Sequence, residues 1–198
     1  VNWRKIEFDK GKSTARFAEA GMMVGLGAIA KGYAVDKASE LLLERGFAHH
    51  IVEGGGDTYA RGKKADKDWQ IGVQHPARGG AIGAIAIHDR AVVTSGNYMR
   101  YFEWEGRRYT HILDPQTGWP ISAQEHPKSV TCIADDATSA DAYCTALTVM
   151  GRAAALDFVS ARSDLDVVII DHDDSLHVSE GLQGVWKTFD KAAKRAEE

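Results

Sequence analysis

The sequence has few cysteines, no excess of one charge and no long apolar run, and each of these absences excludes a class of protein. Its 198 residues include two cysteines, Cys132 and Cys144. Two are too few for a disulfide scaffold, and their separation is not that of a zinc site. We expect both to be small buried side chains, because one lies in an apolar strand-like run and the other in a helical run. The net charge of -4 indicates no nucleic-acid partner.

The longest apolar runs fall well short of the roughly 20 residues that a membrane-spanning helix needs. No signal peptide is visible. Since the first residue is Val1 and not Met, we expect the chain to be either a mature form or a fragment. A hydrophobic content of 44% with 26% charged residues is that of an ordinary globular domain, and the length suffices for one core.

Alternating apolar and polar residues separated by glycine turns predict many short strands, most of them joined as hairpins. The clearest hairpins are centred on Lys10-Gly11, on the glycines 54–56 and on Glu105-Gly106. Helical spacing predicts one helix ending near Gly46, a second from Asp136 or Thr138 to Gly151, and a third directly after it. The last ten residues, 189–198, are predicted to be a frayed helix or a tail. This pattern favours an α+β fold with a largely antiparallel sheet and packed helices.

Four segments carry residues suited to chemistry, and the first is "GLGAIAKGYAVD", residues 25–36. Glycines before a helix allow close approach of a ligand, and the free N–H groups of a helix start bind anions. Lys31 adds a positive charge there. The spacing matches neither a Walker A loop nor a G-x-G-x-x-G turn. Phosphate binding and simple tight packing both remain open for this segment.

The second segment, "EGGGDTY", places Asp57 after three glycines. Consecutive glycines are entropically costly, so they indicate either a tight turn or a ligand that approaches the backbone. Asp57 could accept a hydrogen bond from a ligand hydroxyl or could form the turn. The residues alone do not separate these two interpretations.

The third segment, "YTHILDPQTGWP", is predicted to be a strand from which His111 projects and which ends at Asp114. The proton of a histidine is labile near neutral pH, and a histidine at the end of a strand can lie at the rim of a cleft. The alternative is that His111 is a structural residue and that Asp114-Pro115 and Thr117-Gly118 only form turns.

The fourth segment, "TSADAYCTAL", places Asp141 and Thr145 four residues apart, on one face of a helix. A carboxylate and a hydroxyl are the oxygen ligands that Mg²⁺ accepts, with phosphate and water completing its shell. The alternative is that Asp141 caps the helix and Thr145 is buried.

Taken together, the stretches "LGAIAKGYAVD", "GGGDTYARG", "VVTSGNYMRYFE", "YTHILDPQTGWP" and "SVTCIADDATSADAYCTALTVMG" resemble the FAD:protein FMN transferase family, also called the ApbE family. The resemblance runs from about Trp3 to about Asp171. It implies one ApbE-like (T-fold-like) domain over residues 1–198, without the N-terminal part usual in the family. Two positions depart from the family pattern: Gly25 stands where an Asp is common, and Glu53 where an Asn is common.

The resemblance implies an enzyme that uses Mg²⁺ and FAD, transfers the FMN moiety to a Thr or Ser hydroxyl of a target protein, and releases AMP. It implies a metal site formed by Asp141, Thr145 and the backbone carbonyl of Ala28. The implied catalytic residue is His111, beside the reacting diphosphate. The implied flavin-nucleotide site comprises Gly27, Lys31, Gly32, Gly56, Asp57, Ser95, His111 and Asp114.

The resemblance also implies a target flavoprotein, a subunit of an NADH:quinone or ferredoxin oxidoreductase, and a lipoprotein-type location at the periplasmic, extracytoplasmic face of the bacterial inner membrane. It allows association with a separate N-terminal segment or chain. Three alternatives stay open: an Mg²⁺-dependent FAD pyrophosphatase that yields FMN and AMP, a non-catalytic FAD-binding protein, and a plain α+β domain that binds neither ligand.

Overall fold

The computed structural model describes residues 2–77, 79–97 and 101–189. In chain order the strands are β1 (Ile6–Asp9), β2 (Thr14–Phe17), β3 (His50–Gly54), β4 (Asp57–Arg61), β5 (Trp69–Gln74), β6 (Ala81–Ile87), β7 (Arg90–Gly96), β8 (Tyr101–Trp104), β9 (Arg107–Thr110), β10 (Ser129–Ala134), β11 (Leu165–Ile170), β12 (Leu176–Val178) and β13 (Trp186–Thr188). The helices are α1 (Ala30–Glu44), α2 (Ala137–Met150) and α3 (Arg152–Ser160), with 3₁₀ turns at Trp3–Lys5 and Glu180–Leu182.

A six-stranded sheet with the order β12-β11-β10-β7-β4-β3 forms the centre of the fold, and each neighbouring pair in it is antiparallel. A three-stranded antiparallel sheet with the order β13-β6-β5 covers one of its faces. Helices α1, α2 and α3 cover the other face. The predicted α+β fold with a largely antiparallel sheet and packed helices is therefore confirmed.

Because successive side chains of a strand point to opposite faces, the central strands contribute to two separate cores. Val93 and Cys132 pack with the helices, whereas their neighbours Val92 and Ile133 pack with the smaller sheet. All six residues of β10 and of β11 are buried, which explains why these strands read as continuous apolar runs although the sheet is antiparallel. Both cysteines are buried and unpaired, as predicted.

Helices α1 and α2 touch at Gly32, where an added Cβ would lie 2.1 Å from the Ala137 carbonyl oxygen. The start of α2 receives two caps. Asp136 accepts the N–H of Ser139 at 2.6 Å, and Asp36 of α1 accepts the N–H groups of Ala137 and Thr138, each at 2.8 Å. These bonds fix the rotation of α2 relative to α1 and therefore fix which residues of each helix face the other.

Three sequence expectations need correction or lie outside the described residues. Strand β9 ends at Thr110, so His111 follows the strand and does not project from it, and Asp114 lies within the next turn. Strand β13 was not predicted, because Trp186–Thr188 is too short to show alternation. The predicted C-terminal helix or tail falls almost wholly on residues 190–198, outside the described part of the chain.

Among the described residues, the helices are all too short or too polar to cross a membrane.

Candidate functional site

Four elements meet at one end of the helix-covered face: the first turn of α1, the middle of α2, the beginning of β4 and the end of β7. Strands β4 and β7 are antiparallel, so the start of one and the end of the other lie at the same end of the sheet. Asp57 lies two residues before Tyr59, and Ser95 lies two residues after Val93. Since Tyr59 and Val93 both pack on the helices, Asp57 and Ser95 point to the same face.

Asp141 of α2 lies against the first turn of α1. Its Oδ2 accepts the N–H of Gly32 at 3.1 Å, and its side chain is buried. The lack of a side chain at Gly32 allows this close approach, since an added Cβ would lie 2.9 Å from the Asp141 Cβ. Asp141 therefore does not cap its own helix. It brings a negative charge to the positive end of α1.

Thr145 is held one turn further along α2. Its Oγ1 lies 3.1 Å from Ser95 Oγ, and the Ser95 N–H donates to Cys144 Sγ at 2.9 Å. Cys144 Sγ in turn donates to the Val130 carbonyl oxygen at 2.7 Å. Cys144 lies between Asp141 and Thr145 in α2, and its bonds hold this part of the helix against strands β7 and β10. They therefore fix the position of the Thr145 hydroxyl.

Asp57 is the most buried ionisable side chain of the site, with no exposed surface. Its Oδ1 accepts from Lys31 Nζ at 2.5 Å, whereas its Oδ2 has no hydrogen-bond partner. Burial raises the pKa of Asp57 to about 6; the Lys31 ammonium opposes this shift and the negative charge of Asp141 adds to it. The side chain of Lys31 remains 45% exposed, so its ammonium is accessible to another anion.

The glycine run is explained by a hairpin turn. Gly55 and Gly56 connect β3 to β4 with φ angles of +60° and +93°, as a two-residue turn with both central residues in the left-handed region requires. Glu53 Oε1 accepts the N–H of Gly56 at 2.8 Å, so the glutamate stabilises the turn at the position where the family pattern has Asn. These glycines therefore need no ligand to account for them.

The loop after β9 is a compact turn organised by Asp114. Its Oδ1 accepts the N–H of Gln116 at 2.7 Å, and its Oδ2 accepts from Thr117 Oγ1 at 3.2 Å. Buried Ile112 and Ile121 close the base of the turn through a backbone bond of 3.0 Å. His111 is exposed and stands at the junction of this turn with the β8–β9 hairpin. Both oxygens of Asp114 already have partners in the turn, so its first role is to shape the loop.

A cavity of about 640 Å³ separates this turn from α2. Its lining brings together three of the residues singled out in the sequence: Ala28, Asp114 and Thr145. Asp141 lies beside it on the same helix, while His111 is two residues before its lining residue Leu113. A second cleft of about 340 Å³, lined by Tyr59 and Arg61 among others, includes none of the predicted site residues.

Several contacts of the site were not predictable from the sequence. The Gly32–Asp141 bond joins residues 109 positions apart, and the Ser95–Thr145 contact joins residues 50 positions apart. No local pattern indicates such pairs. The cysteine bond to Ser95 was missed because a buried cysteine reads as a small apolar residue.

The donor atoms fit a small divalent cation. In the described residues no three His, Cys, Asp or Glu side chains are grouped to hold a metal by themselves. What the site offers instead is oxygen: the Asp141 carboxylate, the Thr145 hydroxyl, the Ala28 backbone and the unpartnered Asp57 Oδ2. Mg²⁺ characteristically takes one or two carboxylates and completes its shell with water and substrate phosphate. At the start of α1 the Ala30 N–H donates to the Leu26 carbonyl oxygen at 2.9 Å and the Gly32 N–H donates to Asp141 at 3.1 Å. The partly exposed Lys31 ammonium is therefore the group at this helix start that is suited to a phosphate.

Fold and site together define an α+β domain with an acidic, hydroxyl-bearing pocket at the start of helix α1. The sequence model of the ApbE family matches residues 1–169, and the chain belongs to that family. It is 36% identical over 189 residues to an FAD:protein FMN transferase of Haemophilus influenzae, covering 92% of this chain and 54% of that protein. An FAD:protein FMN transferase of Treponema pallidum is 36% identical over 197 residues, covering 91% of this chain and 54% of that protein.

Solved structures give the same result. The ApbE protein of Thermotoga maritima superimposes with a TM-score of 0.82 at 36% identity, covering 93% of this chain and 60% of that one. The apo form of the flavinyl transferase ApbE of Pseudomonas stutzeri gives a TM-score of 0.76 at 29% identity, covering 93% of this chain and 57% of that one. The chain therefore spans little more than half the length of the relatives it matches.

Proposed function

We propose that this domain carries out Mg²⁺-dependent transfer of the FMN moiety of FAD to a Thr or Ser hydroxyl of a target flavoprotein, with release of AMP. The observation that carries the proposal is the shared cavity of Ala28, Thr145 and Asp114, with Asp141 beside it at the start of α1. The relatives named FAD:protein FMN transferase support the same reaction.

The protein's own groups can be given roles from their positions. The Asp141 carboxylate, the Thr145 hydroxyl and the Ala28 carbonyl would hold the cation, which when bound would withdraw charge from the two bridging phosphates of FAD. The partly exposed Lys31 ammonium at the start of α1 would bind a phosphate oxygen.

We assign to His111 the role of receiving the acceptor hydroxyl. Its exposure, directly after β9 and three residues before Asp114, supports this assignment. As the acceptor oxygen bonds to the phosphorus of the FMN moiety, the bond from that phosphorus to the bridging oxygen breaks and AMP departs with that oxygen. His111 would take the hydroxyl proton or orient the hydroxyl. Asp114 would keep the turn in place through its bonds to Gln116 and Thr117.

The test is incubation of the full chain with FAD, Mg²⁺ and a Thr-containing acceptor peptide, with mass spectrometry for AMP and for an FMN adduct on the peptide. We expect both products. Asp141→Ala should abolish turnover. His111→Ala should reduce turnover by roughly 10²–10⁴-fold, which is the usual contribution of general acid–base catalysis to the rate.

Other outcomes would replace the proposal. AMP and FMN without a peptide adduct would indicate a pyrophosphatase, in which water reaches the exposed side of His111. FAD binding without AMP release in either the parent or the His111→Ala protein would indicate a carrier. Absence of any FAD or Mg²⁺ binding would leave a plain α+β domain.

The choice of acceptor and the location of the protein are further proposals, which rest on the family resemblance of the motifs. We place the acceptor among subunits of NADH:quinone or ferredoxin oxidoreductases, and the protein at the extracytoplasmic face of the bacterial inner membrane. We also propose that a further segment or chain, corresponding to the part of the relatives not spanned here, contributes to FAD binding. Cell fractionation combined with detection of covalently flavinylated subunits tests the first two.

A further inference from the structure

One buried carboxylate oxygen next to the candidate cation site has no partner. Asp57 is completely buried; its Oδ1 binds Lys31 Nζ, and its Oδ2 makes no hydrogen bond. Buried polar atoms are nearly always hydrogen-bonded, because an unpaired one loses its interaction with water and gains nothing in return. A carboxylate oxygen left in this state calls for an explanation such as an ion that completes its interactions.

The local charges point to a cation. Asp57 and Asp141 approach closely enough for the charge of Asp141 to act on Asp57, and both are buried. Lys31 supplies one positive charge against these two carboxylates, and it is held on the Oδ1 side of Asp57. The N–H of Gly32 goes to Asp141 and not to Asp57. The Asp57 and Asp141 carboxylates lie close enough for a hydrogen bond between them, so their second negative charge must be offset by a shared proton or by a cation.

We propose that Asp57 is a second carboxylate of the cation site, with its Oδ2 bound to the divalent cation directly or through one water of the cation's shell. Lys31 then acts as the counter-charge on Oδ1. This inference rests on the proposed function for the presence of the cation, and it adds a residue to the set Asp141, Thr145 and Ala28. Mg²⁺ sites with one or two carboxylates plus phosphate have this composition.

A competing role for Asp57 would be to hold Lys31 and nothing more. In that case the loss of Asp57 would affect the cation only by releasing the Lys31 charge into the pocket. The two roles differ in a double-mutant cycle. If Asp57 faces the cation, Asp57→Asn weakens binding in the presence and in the absence of Lys31. If Asp57 only holds Lys31, its replacement has no effect once Lys31 is Met.

The experiment measures Mn²⁺ binding to the full chain without FAD, by electron paramagnetic resonance of free Mn²⁺. The variants are Asp57→Asn, Lys31→Met, their combination and Asp141→Asn. Glu53→Gln is the matched control, because it removes the same charge from the same hairpin at an exposed position. We expect Asp57→Asn and Asp141→Asn each to raise the Mn²⁺ dissociation constant about tenfold or more, the lower end of the effect of altering a residue near a metal. Glu53→Gln should change it by less than about twofold, since an exposed charge is screened.

If Asp57→Asn still weakens Mn²⁺ binding about tenfold in the Lys31→Met background, the inference is supported. If Asp57→Asn has no effect on Mn²⁺ affinity in that background, the inference is overturned. Unchanged Mn²⁺ affinity in Asp57→Asn, with affinity lost in Asp141→Asn, would also overturn it while leaving the proposed function standing. Failure of the parent chain to bind Mn²⁺ would overturn the inference, and the AMP assay with FAD and Mg²⁺ would then decide the proposed function separately. Circular dichroism of every variant verifies that the fold is retained.

Discussion

Two buried aspartates on opposite faces of the central sheet differ in how their charge is satisfied. Asp166, on the face that packs against the smaller sheet, accepts from Arg90 Nη1 at 2.9 Å and from Ser179 Oγ at 3.0 Å. Asp57, on the helix face, is more deeply buried and has one bonded oxygen and one unpaired oxygen.

The difference separates a structural carboxylate from one with unused binding capacity. Both oxygens of Asp166 are bonded, so this carboxylate holds elements together and has no oxygen left for a ligand. An incompletely paired carboxylate destabilises the fold by itself and is retained where a ligand compensates. The cavity and the candidate cation ligands lie on the side of Asp57 and not on that of Asp166.

The largest expected effect comes from breaking the Arg90–Asp166 ion pair. Arg90→Met leaves Asp166 with only Ser179 as partner in a buried position, so we expect a loss of about 3 kcal/mol in the free energy of unfolding. Urea denaturation at pH 7 measures it. The double variant Arg90→Met/Asp166→Asn removes the isolated charge and should recover at least half of the loss. An equal loss in the single and double variants would contradict the assignment of Asp166 as an ion-pair residue.

The second prediction concerns the unsatisfied carboxylate and pH. Because the pKa of Asp57 is raised from its ordinary value to about 6, the folded state binds more protons than the unfolded state between about pH 4 and pH 6. The free energy of unfolding therefore falls as pH rises through this window, by an amount on the order of 3 kcal/mol for two pKa units.

Asp57→Asn should remove this decrease in the free energy of unfolding with rising pH. Without added cation, the variant should be at least as stable as the parent at pH 7. Urea denaturation at pH 4, 5, 6 and 7 measures both proteins. Identical slopes in parent and variant would show that Asp57 is ionised throughout. Mn²⁺ added at pH 7 should stabilise the parent more than the variant, since only the parent retains the second carboxylate.

The smallest expected effect concerns the exposed carboxylate of the same hairpin. Glu53→Ala removes the bond to the Gly56 N–H, and we expect a loss of roughly 0.5–1 kcal/mol. Glu53→Gln keeps an acceptor oxygen and should lie within about 0.5 kcal/mol of the parent. Thermal unfolding measures both. A larger loss in the Gln variant than in the Ala variant would contradict a role for this side chain as the acceptor of that bond.

The sequence predicted the elements of this fold well for a physical reason. Hairpins with glycine turns and helices with Asp caps depend on residues close in the chain, and those patterns were visible at Lys10-Gly11, Glu105-Gly106 and Asp136. The boundary at His111 was misplaced because alternation continues past Thr110 although strand pairing stops there. Pairing depends on a partner strand, which local sequence does not record.

For the candidate site, the sequence indicated which residue types could act but not how they meet. The motifs singled out Asp141 and Thr145, and helical spacing alone placed them on one face. That Asp141 binds the start of α1, that Ser95 and Cys144 position Thr145, and that Asp114 shapes a loop facing Ala28 depend on contacts between residues far apart in the chain.

What the sequence alone determined is therefore the set of elements, the α+β class and the family, since local periodicity, turns and motifs are written in neighbouring residues. What only the tertiary structure decided is that Asp57 is buried beside Asp141 with one oxygen unpaired. Burial and pairing are properties of the packed helices and sheet, because the same Asp in an exposed turn would keep its hydration and its ordinary pKa.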